Sequence, residues 1–413
     1  MVDFPINDVR ARFPALRDTS RVYLDGPGGT QLCAPAIARM VAHLEAGTAN
    51  SGGVFRTSVE TDALSDAAHA AMADLLGGDA SEIAFGQNMT TLTLGVSRAL
   101  ARDWRAGDEL VLSRLCHDAN VAPWLAVADD VGMAVRWIDF DPTTGVLALD
   151  TLPALLNERT RLVAVGGASN AIGTVNDIPA ISRVVHRNSD ALIYVDGVQS
   201  VPHLPTDVRA MECDFLACSP YKFFGPHQGV LWGRREVLTR IKPYKVRPAA
   251  SDPPGHAFET GTPSFEGQAA VLGTVEYLDW LGGCLLPGAG TRRERLLAAM
   301  AGCMDYEREL GERLLEGLRG INALRLWGVA GMDGRVPTFG FTHAHLHPDA
   351  MAAALAERGI YAWSGNFYAV EVIARMGLEP SGGLLRLGLC HYNTADEVDR
   401  TVEAMRQIAQ AKA

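Results

Sequence analysis

The chain has 413 residues, of which 48% are apolar and 21% charged, a composition typical of a globular protein of two to three domains. Its 37 lysines and arginines against 48 aspartates and glutamates give a formal net charge of -11. That balance disfavours nucleic-acid binding, which needs clustered basic residues. No apolar run is long enough to span a membrane, and the charged, proline-broken start lacks a signal core, so we expect a cytoplasmic protein with no membrane span.

The first informative segment is residues 84–100, where an apolar strand end meets a polar turn and a helix begins near Thr90. The free N–H groups of such a helix start form an anion site, to which Thr90 or Thr91 could add a hydroxyl. Plain N-capping by Asn88 or Thr90 explains the same pattern equally well in isolation.

Short apolar runs then alternate with helical stretches. The predicted strands are 108–114, 161–169, 191–197, 213–219 and 229–234, and the helices between them include 119–132 and 178–189. This alternation favours a largely parallel α/β sheet covered on both faces. Ligands bind at the carboxyl ends of strands in such sheets, so the polar residues there carry the most weight.

Four polar residues follow these strand ends. Asp196 ends a buried strand, where it caps a turn or pairs with a cationic ligand group such as a protonated pyridine nitrogen. His117 is either a polar loop residue or a flat imidazole that stacks on an aromatic ring. Asn170 and Gln199 are neutral hydrogen bonders that serve equally well in turns.

Lys222 stands between Tyr221 and Phe223 in "SPYKFFGPHQGVLWGR", residues 219–234. Burial would lower its pKa and make its amine a Schiff-base nucleophile. The alternative is a surface lysine whose stem lies along the two aromatic rings. Together with Asp196 and the helix start near Thr90, however, Lys222 completes what pyridoxal 5′-phosphate needs: an amine, a partner for its ring nitrogen and a phosphate site.

After about residue 275 the pattern changes. One long amphipathic helix, or two, is predicted at 291–320, with strands at 334–342 and 383–389 and helices at 348–359 and 394–412. We therefore predict two domains, residues 1–275 as an N-terminal segment with a large cofactor-binding domain and residues 276–413 as a smaller α+β domain. Residues 1–20 are expected to pack against the second domain.

The seven cysteines are scattered, and none forms a C-x-x-C pair. They stand at positions 33, 116, 213, 218, 284, 303 and 390. This pattern predicts neither a disulfide framework nor a zinc site, so we expect reduced thiols and no metal.

Seven segments in order along the chain carry a recognisable family pattern. They are "VYLDGPGGTQ" (22–31), "CHDANVAPW" (116–124), "ASNAIGTVN" (168–176), "DGVQSVPHLPTDV" (196–208), "SPYKFFGPHQGVLWGR" (219–234), "FETGTPSF" (258–265) and "LLRLGLCHYNTADEVDR" (384–400). The chain resembles the class V aminotransferase family of fold-type I pyridoxal-phosphate enzymes, in the branch of cysteine desulfurases and selenocysteine lyases. The resemblance implies a large domain with a mostly parallel seven-stranded sheet covered by helices, and a smaller α+β C-terminal domain.

The resemblance also implies roles for individual residues. Lys222 would hold pyridoxal 5′-phosphate as an imine, Asp196 would pair with the pyridine nitrogen, and His117 would stack on the ring. Arg386 would grip the substrate carboxylate, a task suited to its planar fork. The remaining predicted cofactor contacts are Asn170 and Gln199 near the phenolic oxygen, Met89, Thr90, Ser219 and Tyr221 around the phosphate, and Thr262.

Thr262 would reach the phosphate in the neighbouring subunit, which implies a homodimer. Tyr221 departs from the family pattern, since a histidine usually precedes the lysine, although a phenol can still bond to phosphate.

A second departure from the family pattern affects the chemistry directly. In "WSGNFYAVE" (363–371), Tyr368 stands where desulfurases carry a mobile catalytic cysteine, and Trp363 stands at a nearby arginine. A phenol cannot accept a sulfur atom as a thiolate does. Cys116, beside His117, and Cys390, near Arg386, are the cysteines that could substitute. We expect Asn366 and Tyr368, with Trp363, to shape the substrate pocket.

The sequence therefore predicts an enzyme acting on a small α-amino acid through an external aldimine and Cα deprotonation by Lys222. Elimination of the C–S lyase type, transamination and racemisation remain open as the next step. The alternatives are a true cysteine desulfurase with a non-standard cysteine, and a non-catalytic relative that binds the cofactor. A nicotinamide dehydrogenase is disfavoured, because no G-x-G-x-x-G follows a strand.

Overall fold

The computed structural model describes residues 4–288 and 290–410. Two predicted segments extend slightly outside these ranges: residues 1–3 of the N-terminal segment 1–20 and residues 411 and 412 of the helix 394–412. Among the described helices, none combines the length and apolar character that crossing a bilayer demands.

The strands are β1 Val22–Tyr23, β2 Ile83–Gly86, β3 Glu109–Ser113, β4 Ala134–Ile138, β5 Thr160–Gly166, β6 Leu192–Asp196, β7 Phe215–Cys218, β8 Gly229–Gly233, β9 Leu324–Trp327, β10 Thr338–His343, β11 Ile360–Tyr361, β12 Trp363–Gly365 and β13 Leu384–Gly388. The helices are α1 Ile6–Ala11, α2 Ala34–Ala46, α3 Arg56–Leu76, α4 Met89–Ala101, α5 Ala122–Val131, α6 Leu152–Leu155, α7 Ile178–Asn188, α8 Arg235–Leu238, α9 Phe265–Leu285, α10 Arg292–Leu318, α11 Pro348–Ala356, α12 Val370–Arg375 and α13 Ala395–Gln410.

The large sheet has seven strands in the order β2-β8-β7-β6-β5-β3-β4. Only β8 runs antiparallel to its neighbours, so the predicted mostly parallel seven-stranded sheet is confirmed. Its central strands are apolar on both faces, because successive side chains point to opposite sides. In β5, for example, Leu162 belongs to the apolar cluster that includes α4 and α5, while Val163 belongs to the one that includes α3, α7 and α9. Helices therefore cover both faces, as the alternation predicted.

The second sheet is antiparallel, in the order β12-β13-β10-β9. It packs through an apolar cluster against α10, α11 and α13. The prediction left one or two helices open for 291–320, and the structure has the single helix α10, which a capping box between Thr291 and Glu294 begins. The short connection from α9 makes α9 and α10 neighbours along much of their length.

The two parts of the chain are closely joined. Residue 275, the predicted boundary, lies inside the continuous helix α9, so the two-domain division stays a prediction. From α1, the Arg10 side chain donates to the carbonyl of Tyr392 and pairs with Glu397 at 2.9 Å. Strand β1 pairs with β11. These contacts join the N-terminal segment to the C-terminal part of the chain, and Pro27 and Gly28 line the site described next.

Candidate active site

The carboxyl ends of the parallel strands surround a cavity of about 1030 Å³. Asp196 is the last residue of β6, and Ser219 directly follows β7. Most of the predicted site residues line this cavity: Met89, Thr90, His117, Asn170, Asp196, Gln199, Ser219, Tyr221, Lys222, Trp363, Tyr368 and Arg386. Residues that lie up to about 300 positions apart in the sequence thus share one chamber, because parallel strands end at a common edge of the sheet.

Two predicted site residues lie elsewhere. Thr262 is exposed, on the segment between a 3₁₀-helix at Pro254–Phe258 and α9, and does not line the cavity of its own chain. The Asn366 side chain accepts a hydrogen bond from the Tyr368 N–H at 3.0 Å instead of facing the cavity. Asn366 therefore shapes the loop that carries Tyr368.

Lys222 ends a single 3₁₀ turn, Pro220–Lys222, directly after β7. Its Nζ donates to the carbonyl oxygen of Pro27 at 2.5 Å. Burial, aided by the charge of Arg386 and opposed by that of Asp196, lowers the pKa of Lys222 to about 7. A substantial fraction of the amine is therefore neutral, and nucleophilic, near neutral pH.

Asp196 is buried at the end of β6, where its Oδ1 accepts a hydrogen bond from the Val198 N–H at 2.9 Å. Burial raises the pKa of this carboxyl to about 6, although the hydrogen bond and the charge of Lys222 oppose the shift. A second cationic group in the cavity would favour the ionised form further. The side chain thus acts as a turn residue and also faces the cavity, where its pairing with a cationic ligand group stays a prediction.

The side-chain amides of Asn170 and Gln199, both predicted site residues, have hydrogen-bond partners within the described ranges for their nitrogens only. The Nδ2 of Asn170 donates to the Phe367 carbonyl at 2.8 Å, and the Nε2 of Gln199 donates to the Pro27 carbonyl at 3.0 Å. Their side-chain oxygens are buried and have no hydrogen-bond partner among the described residues. Each amide thus has an acceptor left for a polar group of a ligand.

Arg386 is buried in the middle of β13, where Nη1 donates to the Asn170 carbonyl at 2.8 Å. Its guanidinium lies 4.0 Å from the centre of the Phe367 ring. Burial lowers the pKa of Arg386 to about 9, and the nearby carboxylate of Asp25 opposes this. Its Nε has no hydrogen-bond partner among the described residues, so the fork has a donor left for an anion.

The start of α4 lines another side of the cavity. The Asn88 side chain caps it by accepting from the Thr91 N–H at 2.9 Å, and the Met89 N–H donates to the Ser219 hydroxyl at 3.0 Å. The N-capping interpretation is therefore confirmed for Asn88, and the anion site stays a prediction with which the position of Thr90 on the cavity surface is compatible. The Tyr221 ring stacks on the ring of His227, with centroids 4.6 Å apart.

His117 lies over the other side of the cavity. Its Nδ1 accepts from the Ala119 N–H at 2.9 Å, so in the neutral ring the proton is on Nε2. Burial, followed by the charges of Lys222 and Arg386, lowers the pKa of His117 to about 4. The imidazole is therefore neutral at physiological pH, which suits stacking on an aromatic ring.

The loop 366–369 contributes Phe367 and Tyr368 to the lining of the cavity. Phe367 and Tyr368 have φ angles of 56° and 55°, a left-handed conformation that side chains disfavour. The loop is anchored by its backbone, because the Tyr368 carbonyl accepts from the Asp118 N–H at 2.7 Å and the Phe367 carbonyl accepts from Asn170. The Tyr368 side chain itself is 70% exposed.

The cysteines do not contribute to the surface of this chamber. All seven are within the described residues and unpaired, and none lines the cavity. Cys116 and Cys390, the two predicted substitutes for the missing nucleophile, are both buried. Burial raises the pKa of Cys116 to about 12 and that of Cys390 well above its ordinary value, which disfavours the reactive thiolate.

Several residues that line or support the cavity escaped the sequence reasoning. The Pro27 carbonyl binds both Lys222 and Gln199, and Asp25 has a buried, unpartnered Oδ1 close to Arg386. The Gly-Pro-Gly-Gly run after Asp25 signalled a special backbone there, but nothing local tells that this turn faces a lysine almost 200 positions later.

The residues present fit pyridoxal 5′-phosphate. The chamber offers a partly neutral amine, a buried carboxyl and a neutral imidazole, next to a capped helix start with hydroxyl groups. The buried polar atoms without partners, two amide oxygens and the Nε of Arg386, are the groups that a ligand with hydroxyl and carboxylate functions would satisfy.

Comparisons with known proteins agree with this site. The family model described as "Aminotransferase class-V" matches residues 22–401. A cysteine desulfurase of Klebsiella pneumoniae (strain 342) is 31% identical, and the match covers 98% of each chain. The aminotransferase-like protein FGM3 of Gibberella zeae is 29% identical, again over 98% of each chain.

Among solved structures, the fold is similar to that of the apo cysteine desulfurase from Thermococcus onnurineus NA1. The TM-score is 0.89 at 24% identity, and the match covers 100% of this chain and 99% of the other. The chain therefore belongs to the class-V aminotransferase family, in its cysteine desulfurase-like branch, and is an enzyme that depends on pyridoxal 5′-phosphate.

Proposed function

We propose that this enzyme removes the α-proton of a small α-amino acid and then eliminates a β-substituent, as a C–S lyase does, without a cysteine nucleophile. One observation carries the proposal: Lys222, Asp196 and Arg386 converge on a single cavity that none of the seven cysteines lines. The amine, carboxylate and guanidinium supply the chemistry at Cα, and no thiol lines the cavity to take up sulfur.

The cofactor would be held by four groups of contacts. Lys222 would bind its aldehyde carbon, and Asp196 would keep a proton on its ring nitrogen. The start of α4, with Thr90 and Ser219, would bind the phosphate, since N–H groups and the helix dipole favour an anion there. His117 would lie against the ring. When bound, the cofactor draws electrons away from Cα and so acidifies the α-proton.

The substrate would be oriented by Arg386. Its fork is already fixed by the Asn170 carbonyl and the Phe367 ring, so little side-chain freedom is lost when a carboxylate binds. Lys222 would then accept the α-proton, because its lowered pKa of about 7 lets the neutral amine exist at working pH. Protonated Lys222 would in turn donate a proton to the departing β-substituent.

The loop 366–369 favours direct elimination over desulfuration with a protein persulfide. Tyr368 stands where the resemblance places a catalytic cysteine, and both nearby cysteines are buried. Release of the β-substituent together with a 2-oxo acid and ammonia needs only proton transfer, the cofactor and water. Transamination and racemisation begin with the same proton removal and are distinguished by their products.

The proposal is tested with a panel of α-amino acids bearing thiol, chloro and other β-substituents. We expect equal amounts of released substituent, 2-oxo acid and ammonia, with no protein-bound persulfide in mass spectra. The variants Cys116→Ser and Cys390→Ser should react at the parent rate. A persulfide trapped on any cysteine would overturn the proposal in favour of a desulfurase. Accumulated pyridoxamine cofactor, or inverted amino acid alone, would overturn it in favour of transamination or racemisation.

We also propose that the enzyme is a cytoplasmic homodimer in which Thr262 completes the neighbouring site. The exposed position of Thr262 outside its own cavity supports this, as do exposed large apolar side chains on α2 and around the start of α3. These side chains are Ile37, Val41, Leu44, Phe55 and Val59. The seven unpaired thiols are typical of a reducing compartment.

Subunit mixing tests the shared site. Mixed dimers of Lys222→Ala with Thr262→Ala contain one site with both residues intact, so activity should reappear on mixing two weakly active proteins. Sedimentation gives the oligomeric state directly. A monomer, or mixed protein with only the average activity of its components, would contradict the shared site while leaving the elimination chemistry untouched.

A further inference from the structure

A second cluster of ligating side chains lies outside the active site. His69 of α3 and Glu259 are separated by 190 positions, yet the His69 Nε2 lies 2.8 Å from the Glu259 Oε1. The ring of His256 lies beside them, with its centroid 4.4 Å from that of His69. One ligand atom from each of the three residues falls within 4.8 Å of the other two.

The orientation of His69 is fixed from behind. Its Nδ1 lies 2.7 Å from the Ser65 carbonyl oxygen, and because a carbonyl only accepts, Nδ1 carries a proton. The lone pair of the neutral ring is then on Nε2, which points at Glu259. A backbone carbonyl that fixes the tautomer in this way is the usual support of a metal-ligating histidine.

Glu259 is supported in the same manner. Its Oε1 accepts from the backbone N–H of Phe85 in β2 at 2.8 Å, so the carboxylate is anchored to the large sheet. His69 is only 2% exposed, whereas His256 and Glu259 are partly exposed. The cluster therefore combines a rigid inner side with an outer side open to water, as a three-ligand site with one solvent position requires.

The cluster brings one carboxylate together with two imidazoles, a set of oxygen and nitrogen ligands. Without a metal, the Nε2 of His69 carries a second proton that it donates to Glu259, and the two side chains form an ordinary ion pair. With a metal, Nε2 carries no proton and is a ligand.

We propose that His69, His256 and Glu259 bind a divalent transition-metal ion, with zinc the best match to two imidazoles and one carboxylate. A tetrahedral zinc ion with bonds of roughly 2.0–2.1 Å holds its ligand atoms roughly 3–3.5 Å apart, so closure requires only small side-chain movements. The ion would tie the 3₁₀-helix Pro254–Phe258 to α3 and β2, just before the exposed segment that carries Thr262. The sequence predicted no metal because that expectation rested on the cysteines.

The test is metal loading of the holoenzyme. Protein stripped with EDTA is dialysed against zinc, and bound metal is measured by mass spectrometry. We expect the parent to bind about one zinc ion per chain and to show a zinc-dependent rise in Tm. His256→Gln should lower the zinc affinity by at least about 100-fold and should show no such rise in Tm. His256→Cys, which keeps a zinc ligand, should retain the ion.

The matched control is His345→Gln. His345 and His347 are exposed and His343 is partly exposed, so this histidine run is a surface on which adventitious metal binding is expected. Loss of the ion in His345→Gln but not in His256→Gln would overturn the proposal. Equal loading of the parent and His256→Gln, or no loading of either, would leave the three residues as an ion pair with a neighbouring ring. None of these outcomes depends on the reaction at Lys222.

Discussion

Two surfaces of the same cavity differ in how they are built. The floor, defined by Asn170, Asp196, Gln199 and Lys222, consists of residues at or just after the ends of β5, β6 and β7. The wall, defined by residues 363–369, is an edge strand and a loop. Asn170, Asp196 and Gln199 of the floor are buried, whereas Trp363 and Tyr368 of the wall are 54% and 70% exposed. The side chains of Asn170, Gln199 and Lys222 also donate to backbone carbonyls of distant segments.

We infer from this contrast that the floor residues start the reaction and that the wall residues direct its outcome. The sheet holds the floor through many hydrogen bonds and close packing, so a changed residue there disturbs both the cofactor and its neighbours. The loop of the wall is anchored by two of its backbone carbonyls, at Phe367 and Tyr368, and such contacts do not depend on the side chain. A tyrosine can therefore occupy the place of a cysteine without disturbing the floor.

Lys222→Ala removes the amine of the floor and has the largest expected effect. We expect the rate with any amino acid to fall by about 1,000-fold or more, because the residue that attaches the cofactor and the base at Cα are both lost. The visible absorbance of lysine-bound cofactor should vanish, which spectrophotometry checks. Lys242→Ala, at an exposed position, is the control and should match the parent.

Arg386→Lys changes a residue that contacts both surfaces, the floor at the Asn170 carbonyl and the wall at the Phe367 ring. The amine of lysine cannot bind the Asn170 carbonyl, lie against Phe367 and grip a carboxylate with a fork at the same time. Losing one charge-assisted bond should lower kcat/KM about 30-fold, mostly through KM. Steady-state kinetics measures this, with Arg375→Lys on the surface as control. A fall in kcat at unchanged KM would contradict the role in substrate binding.

The rate of cofactor uptake by the apoenzyme should depend on pH through Lys222. Only the neutral amine attacks an aldehyde, so uptake should rise about tenfold per pH unit below a midpoint of about 7 and level off above it. Asp196→Asn removes a charge that raises this pKa, which should move the midpoint to lower pH. A midpoint near 10.5, the ordinary value of lysine, would contradict the burial argument.

The sequence predicted the floor far better than the wall. Asp196 and Lys222 each follow an apolar strand, and since parallel strands end at one edge, their meeting follows from the pattern. The contact between Pro27 and Lys222 could not be predicted, because it joins segments 195 positions apart through a backbone oxygen that carries no sequence signal. Likewise, nothing in "SGNFYAVE" tells that two successive residues with bulky side chains adopt positive φ.

Tyr368→Gly probes the wall and has the smallest expected effect. Tyr368 has a φ of 55°, which glycine adopts without strain, and its side chain is 70% exposed, so little packing is lost. Compared with Tyr368→Ala, which keeps the strain, glycine should raise Tm by about 1–2 °C, since relief of about 1 kcal/mol is partly offset by the greater freedom of its unfolded chain. Both variants should keep activity within about tenfold of the parent, because the floor is intact. Glycine that is no more stable than alanine would show that the loop 366–369 relaxes out of its left-handed conformation, and the wall would then be a moving part of the site rather than a fixed one.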